Sequence, residues 1–154
     1  MRKLKKLLFV IAAIVAVIFA VLFLSPRITK MTSKHKAFSY VQNNQTELAQ
    51  IAENVISGDT KTPYLYNDYT IHYFKSPSTF SEPIVEFTGK GFGIAPSGFY
   101  TGFYYSPDDI PVRYNGSGTA MEPYKNGWTY SEGGDNHGYT EKICDNWYWF
   151  EFYF

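Results

Sequence analysis

The stretch from Leu7 to Leu24, LLFVIAAIVAVIFAVLFL, runs for eighteen residues without a charged or polar side chain. At about 1.5 Å per residue, a helix of that length reaches roughly 27 Å, close to the hydrocarbon thickness of a bilayer. Such a helix has no polar side to turn to water, which sets it apart from the helices of a soluble core. Arg2, Lys3, Lys5 and Lys6 form a basic tip over 1–6 that favours a cytoplasmic N-terminus. A cleaved signal peptide starts in the same way, but cleavage needs small residues one and three positions before the cut. This run ends Val21-Leu-Phe-Leu-Ser-Pro26, without that pair. The expectation is therefore an uncleaved, single-pass signal anchor over 7–24, with secretion after cleavage as the alternative. Arg27, Lys30, Lys34 and Lys36 match the N-terminal cations in number, so the orientation rests on the compactness of the tip. The remainder of the chain is expected outside the cytoplasm, and the lipid bilayer is the first partner.

Residues 25–36, SPRITKMTSKHK, read as a basic juxtamembrane linker or a frayed helical extension. Beyond them, 37–154 leaves enough chain for one α+β domain and too little for two independent cores. Residues 1–36 hold eight basic and no acidic side chains, whereas 37–154 hold six basic and fourteen acidic, a net −8. That balance excludes a basic nucleic-acid-binding surface on the folded part. One cysteine excludes an internal disulfide framework and a Cys-rich zinc module.

Residues 37–57 place Phe38, Val41, Leu48, Ile51, Ala52, Val55 and Ile56 near one helical face, with Gln45 interrupting the stripe, and Ser57-Gly58-Asp59 supplies a stop. From residue 60 onward, Pro and Gly recur every few residues between β-branched and aromatic stretches. Strands are expected at 69–74, 84–90, 99–105, 112–122 (irregular), 127–131, 139–143 and 147–154. Asn115-Gly116, Asn126-Gly127, Ala95–Gly98 and Cys144–Asn146 are the expected turns. The spacing leaves no room for crossover helices, so the sheet must be mainly antiparallel. The expected fold is an N-terminal transmembrane helix, then one amphipathic helix packed on a curled meander sheet. A small helix-capped β-barrel is the alternative.

Aromatic residues make up 27 of the 118 residues in 37–154. On the last strand Tyr148, Phe150, Phe152 and Phe154 point one way and Trp147, Trp149, Glu151 and Tyr153 the other. The third strand alternates Phe99, Phe103 and Tyr105 with Tyr100 and Tyr104. Tyr and Trp combine contact area, few rotors and a polar tip, which suits recognition. Glu151 makes the Trp side partly polar, so Trp147, Trp149, Glu151 and Tyr153, with Tyr104, are the candidate binding surface and the Phe side is the expected core.

The loop Ser131–Gly138 offers Glu132, Asp135 and His137 as candidate metal ligands, although it lacks calcium-loop spacing. Asp108 and Asp109 sit in one turn, a poor arrangement for a carboxylate pair straddling a substrate. Cys144 lies beside Asp145, whose charge disfavours a thiolate. No motif implies a cofactor, and none specifies catalysis. The expected function is a membrane-anchored extracytoplasmic binding module for a protein or a cell-wall glycan. The alternatives are an envelope-polymer hydrolase using Asp108, Asp109 or Glu132, and a structural subunit of a membrane complex.

Overall fold

The computed structural model describes residues 2–75, 83–89, 91–94, 97–114 and 121–154. One helix, α1, runs Arg2–Ile56, so the basic segment 25–36 is helical. Nine strands follow: β1 (Tyr64–Tyr66), β2 (Tyr69–Phe74), β3 (Ile84–Thr88), β4 (Phe92–Ile94), β5 (Ser97–Tyr105), β6 (Glu122–Tyr124), β7 (Gly127–Gly133), β8 (Asn136–Cys144) and β9 (Trp147–Tyr153). The chain divides into two compact units, Met1–Thr32 and Ser33–Phe154. In the first unit, the described side chains of 11–17 are all apolar and all exposed. Among the described residues no helix is long and apolar enough to cross a membrane. The side chains of 7–10 and 18–24 lie outside the described ones.

The second unit is α+β, with every strand pair antiparallel. The order β1-β2-β3-β5-β9-β8-β7-β6, with β4 also on β5, leaves β1 and β6 as edges. The sheet is thus open, and the barrel alternative is not formed. Nor is it a single meander. After β5 the chain leaves the middle of the sheet, starts β6 at the far edge and works back until β9 pairs with β5. The last strand is central because both its faces are aromatic; only a strand covered on both sides can bury them.

The helix lies on one face. Ala37, Val41, Leu48, Ala52 and Val55 are buried against Ile71, Val85, Phe87, Phe103, Trp147 and Trp149. Their steps of four, seven, four and three residues keep one helical stripe in phase. The stripe survives a break at Asn44, whose backbone (φ −127°, ψ 21°) is not helical. Asn44 Nδ2 donates to the Tyr40 carbonyl at 2.7 Å, the acceptor that its own backbone N–H serves in an unbroken helix.

On the other face, residues 106–114 turn at Pro107-Asp108 and then pass over the sheet as a strap outside its ladder. Ile110, Val112 and Tyr114 pack with Ile84, Tyr104, Tyr130, Tyr148, Phe150 and Phe152. Extended chain covering a sheet face has no ladder for its amides, so side chains must serve them. The Val112 amide donates to Tyr104 Oη at 2.8 Å and the Tyr114 amide to Tyr130 Oη at 3.0 Å. The Asp109 carbonyl accepts from Tyr148 Oη at 2.7 Å. The strand expected from 112 is this strap as far as 114; its continuation over 115–120, with the Asn115-Gly116 turn, falls outside the described residues, as do 95–96 of the Ala95–Gly98 turn.

One turn sits one residue away from its expected place, and another lies within the expected Cys144–Asn146 span. The β6–β7 loop is Lys125-Asn126, with Lys125 at φ 52°, because Tyr124 pairs with Gly127. Asp145-Asn146 links β8 to β9, with Asn146 at φ 66°.

Candidate functional site

Where the broken helix passes the β1–β2 turn, the surface holds a groove of about 580 Å³. The helix contributes His35, Lys36, Ser39 and Asn43, and the turn contributes Asn67 and Asp68. Tyr40 and Tyr69 form its wall, with ring centroids 5.5 Å apart and planes 29° from parallel. The local sequence explains each part. Tyr66 pairs with Tyr69, which leaves Asn67-Asp68 as a two-residue loop, and Asn67 takes φ 53°, a conformation that asparagine tolerates. On the helix, two successive asparagines weaken the interior, and the second is the point of the break.

The wall is fixed from behind. Tyr69 meets Phe103 edge-on at 4.8 Å, and Phe103 belongs to the core. Asn67 Nδ2 donates to Tyr40 Oη at 2.9 Å, tying turn to helix. Burial pushes the Tyr69 phenol up, and Tyr40 and Asp68 push it further, so it remains a donor at neutral pH. Next to the groove, Tyr66 Oη donates to the Glu47 carboxylate; that bond, then burial, raises the Tyr66 phenol as well.

The residues expected to form a binding surface lie elsewhere. Trp147 and Trp149 are buried at 2% and 1% exposure, beneath the helix rather than on an open face. Glu151 and Tyr104 are buried too, and Tyr104 points to the strap side. Tyr153 alone is half-exposed, with His137 stacked on it at 4.6 Å. The burial of the tryptophans has a physical basis: a stripe of Val, Leu and Ala needs an apolar partner, and the row Ile71-Phe87-Phe103-Trp149 supplies it across four strands. The Phe side is core as well, under the strap.

The candidate metal ligands are not gathered. Among the described residues no three His, Cys, Asp or Glu side chains form a cluster that could hold an ion. Glu132 pairs with Arg113, and His137 Nδ1 is 2.7 Å from the Asp135 carbonyl oxygen of its own turn. Asp109 anchors the strap: Lys142 Nζ (2.5 Å), the Asn146 amide (2.9 Å) and Tyr148 Oη (3.1 Å) all reach its carboxylate. Burial alone would raise that carboxyl, but these bonds together hold it below the usual carboxylate range. Burial likewise raises the Cys144 thiol, against the opposing bond from Gln45 Nε2, so it is no ready nucleophile.

The groove carried a weak signal in the sequence. Asn43-Asn44 in mid-helix, and Asn67-Asp68 between two tyrosine-rich strands, are the only traces of it. Comparison with protein-family models, with curated proteins and with solved structures finds no match to this chain.

Proposed function

We propose that the chain is a membrane-anchored, extracytoplasmic binding module whose ligand seats in the groove at the helix break. One observation carries the groove reading. The side chains of His35, Lys36, Ser39 and Asn43 line it with no hydrogen-bond partner among the described residues, while the loop carboxylates Asp109 and Glu132 are already paired with cations. Convergent polar groups against a rigid aromatic wall are the ordinary make-up of a small-ligand site, and the volume falls within the usual range of about 300–1,000 Å³. The anchor reading is supported by the uncharged run 7–24 and by the exposed, wholly apolar side chains of 11–17, which lipid solvates better than water does. Binding is favoured over hydrolysis because Asp109 and Glu132 each hold a cation instead of facing a substrate.

Two measurements on the full chain test this. A C-terminal tag should be cleaved by protease added to intact cells, with the protein retained in membranes after an alkaline wash; a protected tag, or release into the wash, overturns the placement. A thermal-shift panel of sugars, amino acids, peptides and polyamines should stabilise the protein with one class, and Asn43→Ala should reduce that shift. A flat panel overturns the groove reading.

A further inference from the structure

We infer that the groove takes a neutral saccharide chain, with one sugar face against the Tyr40–Tyr69 wall and its hydroxyls meeting Ser39, Asn43 and Asn67. This rests on the groove reading above and narrows it to one ligand class.

Charge is the first argument. Lys36 and Asp68 bring one charge of each sign to the same groove, with His35 the only other titratable side chain among its helix and turn polar groups. An anionic ligand gains from Lys36 and loses to Asp68, and a cation meets the reverse. A neutral ligand with hydroxyls that both donate and accept can use both, because a charged partner strengthens a hydrogen bond to an uncharged hydroxyl. Asn43 adds one acceptor and two donors, and Asn67 keeps its acceptor and one donor beyond its bond to Tyr40, a mixed set that matches vicinal hydroxyls better than it matches an ion.

The second argument is the wall. A pyranose presents an apolar C–H face, and an aromatic ring is its natural complement. Tyr40 and Tyr69 are stacked together, Tyr69 is wedged against Phe103, and Tyr40 Oη is held by Asn67. These rings lose little rotamer freedom when a ligand arrives, so the contact is not offset by ordering cost. The third argument is the opening itself. The groove is bounded by a helix on one side and a two-residue turn on the other, and Asn67, Asp68, Lys36 and Asn43 are all exposed. Such a surface suits successive units of a polymer rather than a small solute that must be enclosed.

The test is calorimetric titration of the full chain in a sugar-free detergent. The probes are triacetylchitotriose, cellotriose and maltotriose as neutral saccharides, a galacturonic acid trimer as the anion, spermidine as the cation and alanyl-alanine as the zwitterion. At least one neutral trisaccharide should bind. Asn43→Ala and Asp68→Ala should each weaken it about five- to tenfold, the loss of roughly one hydrogen bond. Both residues are exposed, so the unfolding midpoint of each variant should match the parent. If only a charged or zwitterionic probe binds and the variants weaken it, the saccharide inference is overturned and the groove stands. Silence from every probe overturns both, as does trisaccharide binding that neither variant changes.

Discussion

The two faces of the sheet are closed by different means, and the contrast explains their composition. On the helix side the cross-strand row is Ile71, Phe87, Phe103 and Trp149. The neighbouring row on the strap side is His72, Glu86, Tyr104, Tyr148 and Lys142. A helix satisfies its own backbone, so it asks only for apolar surface. A strap brings bare amides and carbonyls, so the face beneath it must offer hydroxyls and charges. Tyrosine meets both needs, packing its ring and presenting its oxygen to the strap. Tyr104 shows the arrangement in full. Thr140 gives its hydroxyl proton to the Trp149 carbonyl (2.8 Å), so Tyr104 Oη donates to Thr140 (3.0 Å) and accepts from the Val112 amide.

Truncating a residue of each row should separate the two designs. Trp149→Ala removes the largest fully buried side chain of the helix side and should cost about 3–5 kcal/mol by chemical denaturation. Its indole N–H has no partner among the described residues, so the loss should come from packing and from the Lys34 ammonium 5.2 Å from the ring centroid, not from a hydrogen bond. Gly102→Ala should act on the opposite side. The added Cβ would lie 2.3 Å from the Phe87 carbonyl oxygen and 2.7 Å from the Phe150 ring, a clash worth about 1–3 kcal/mol. Tyr104→Phe keeps the ring and removes the hydroxyl, for about 1 kcal/mol, with faster hydrogen exchange at the Val112 amide and none at the helix. Equal effects on both segments would mean that the strap is not separately anchored.

Acid should loosen the strap first. The Asp109 carboxyl is depressed in the folded chain, so its contribution is complete above the unfolded value near pH 4 and disappears as pH falls through the folded value. Below about pH 4, exchange within 106–114 should therefore rise before exchange within 45–56. Asp109→Asn should remove that pH dependence and bring exchange within 106–114 at neutral pH up to about the level the parent reaches in acid, since both changes neutralise the same carboxylate.

Much of this architecture can be read along the chain. Strand β2 starts and ends at the expected residues, and β3, β5, β7, β8 and β9 fall within three residues of expectation, because period-two alternation is strong there. Strands β1, β4 and β6 are three residues each, too short for periodicity to register. Alternation on β5 and β9 reveals two aromatic faces but not which cover each receives, since both are buried. Glu151 is itself buried within β9, so its charge says nothing about the exposure of Trp149. The groove was harder still. It joins a helix to a turn more than twenty residues further on, and no local pattern encodes that meeting.

Both sheet faces are closed, and the tryptophans can report on that closure directly. In the full chain carrying Trp128→Phe, the remaining emission comes from Trp147 and Trp149. Their burial predicts blue-shifted emission that acrylamide scarcely quenches until the domain unfolds. Red-shifted emission that is readily quenched in the folded protein would contradict it, returning the Trp face to solvent and to candidacy as the binding surface.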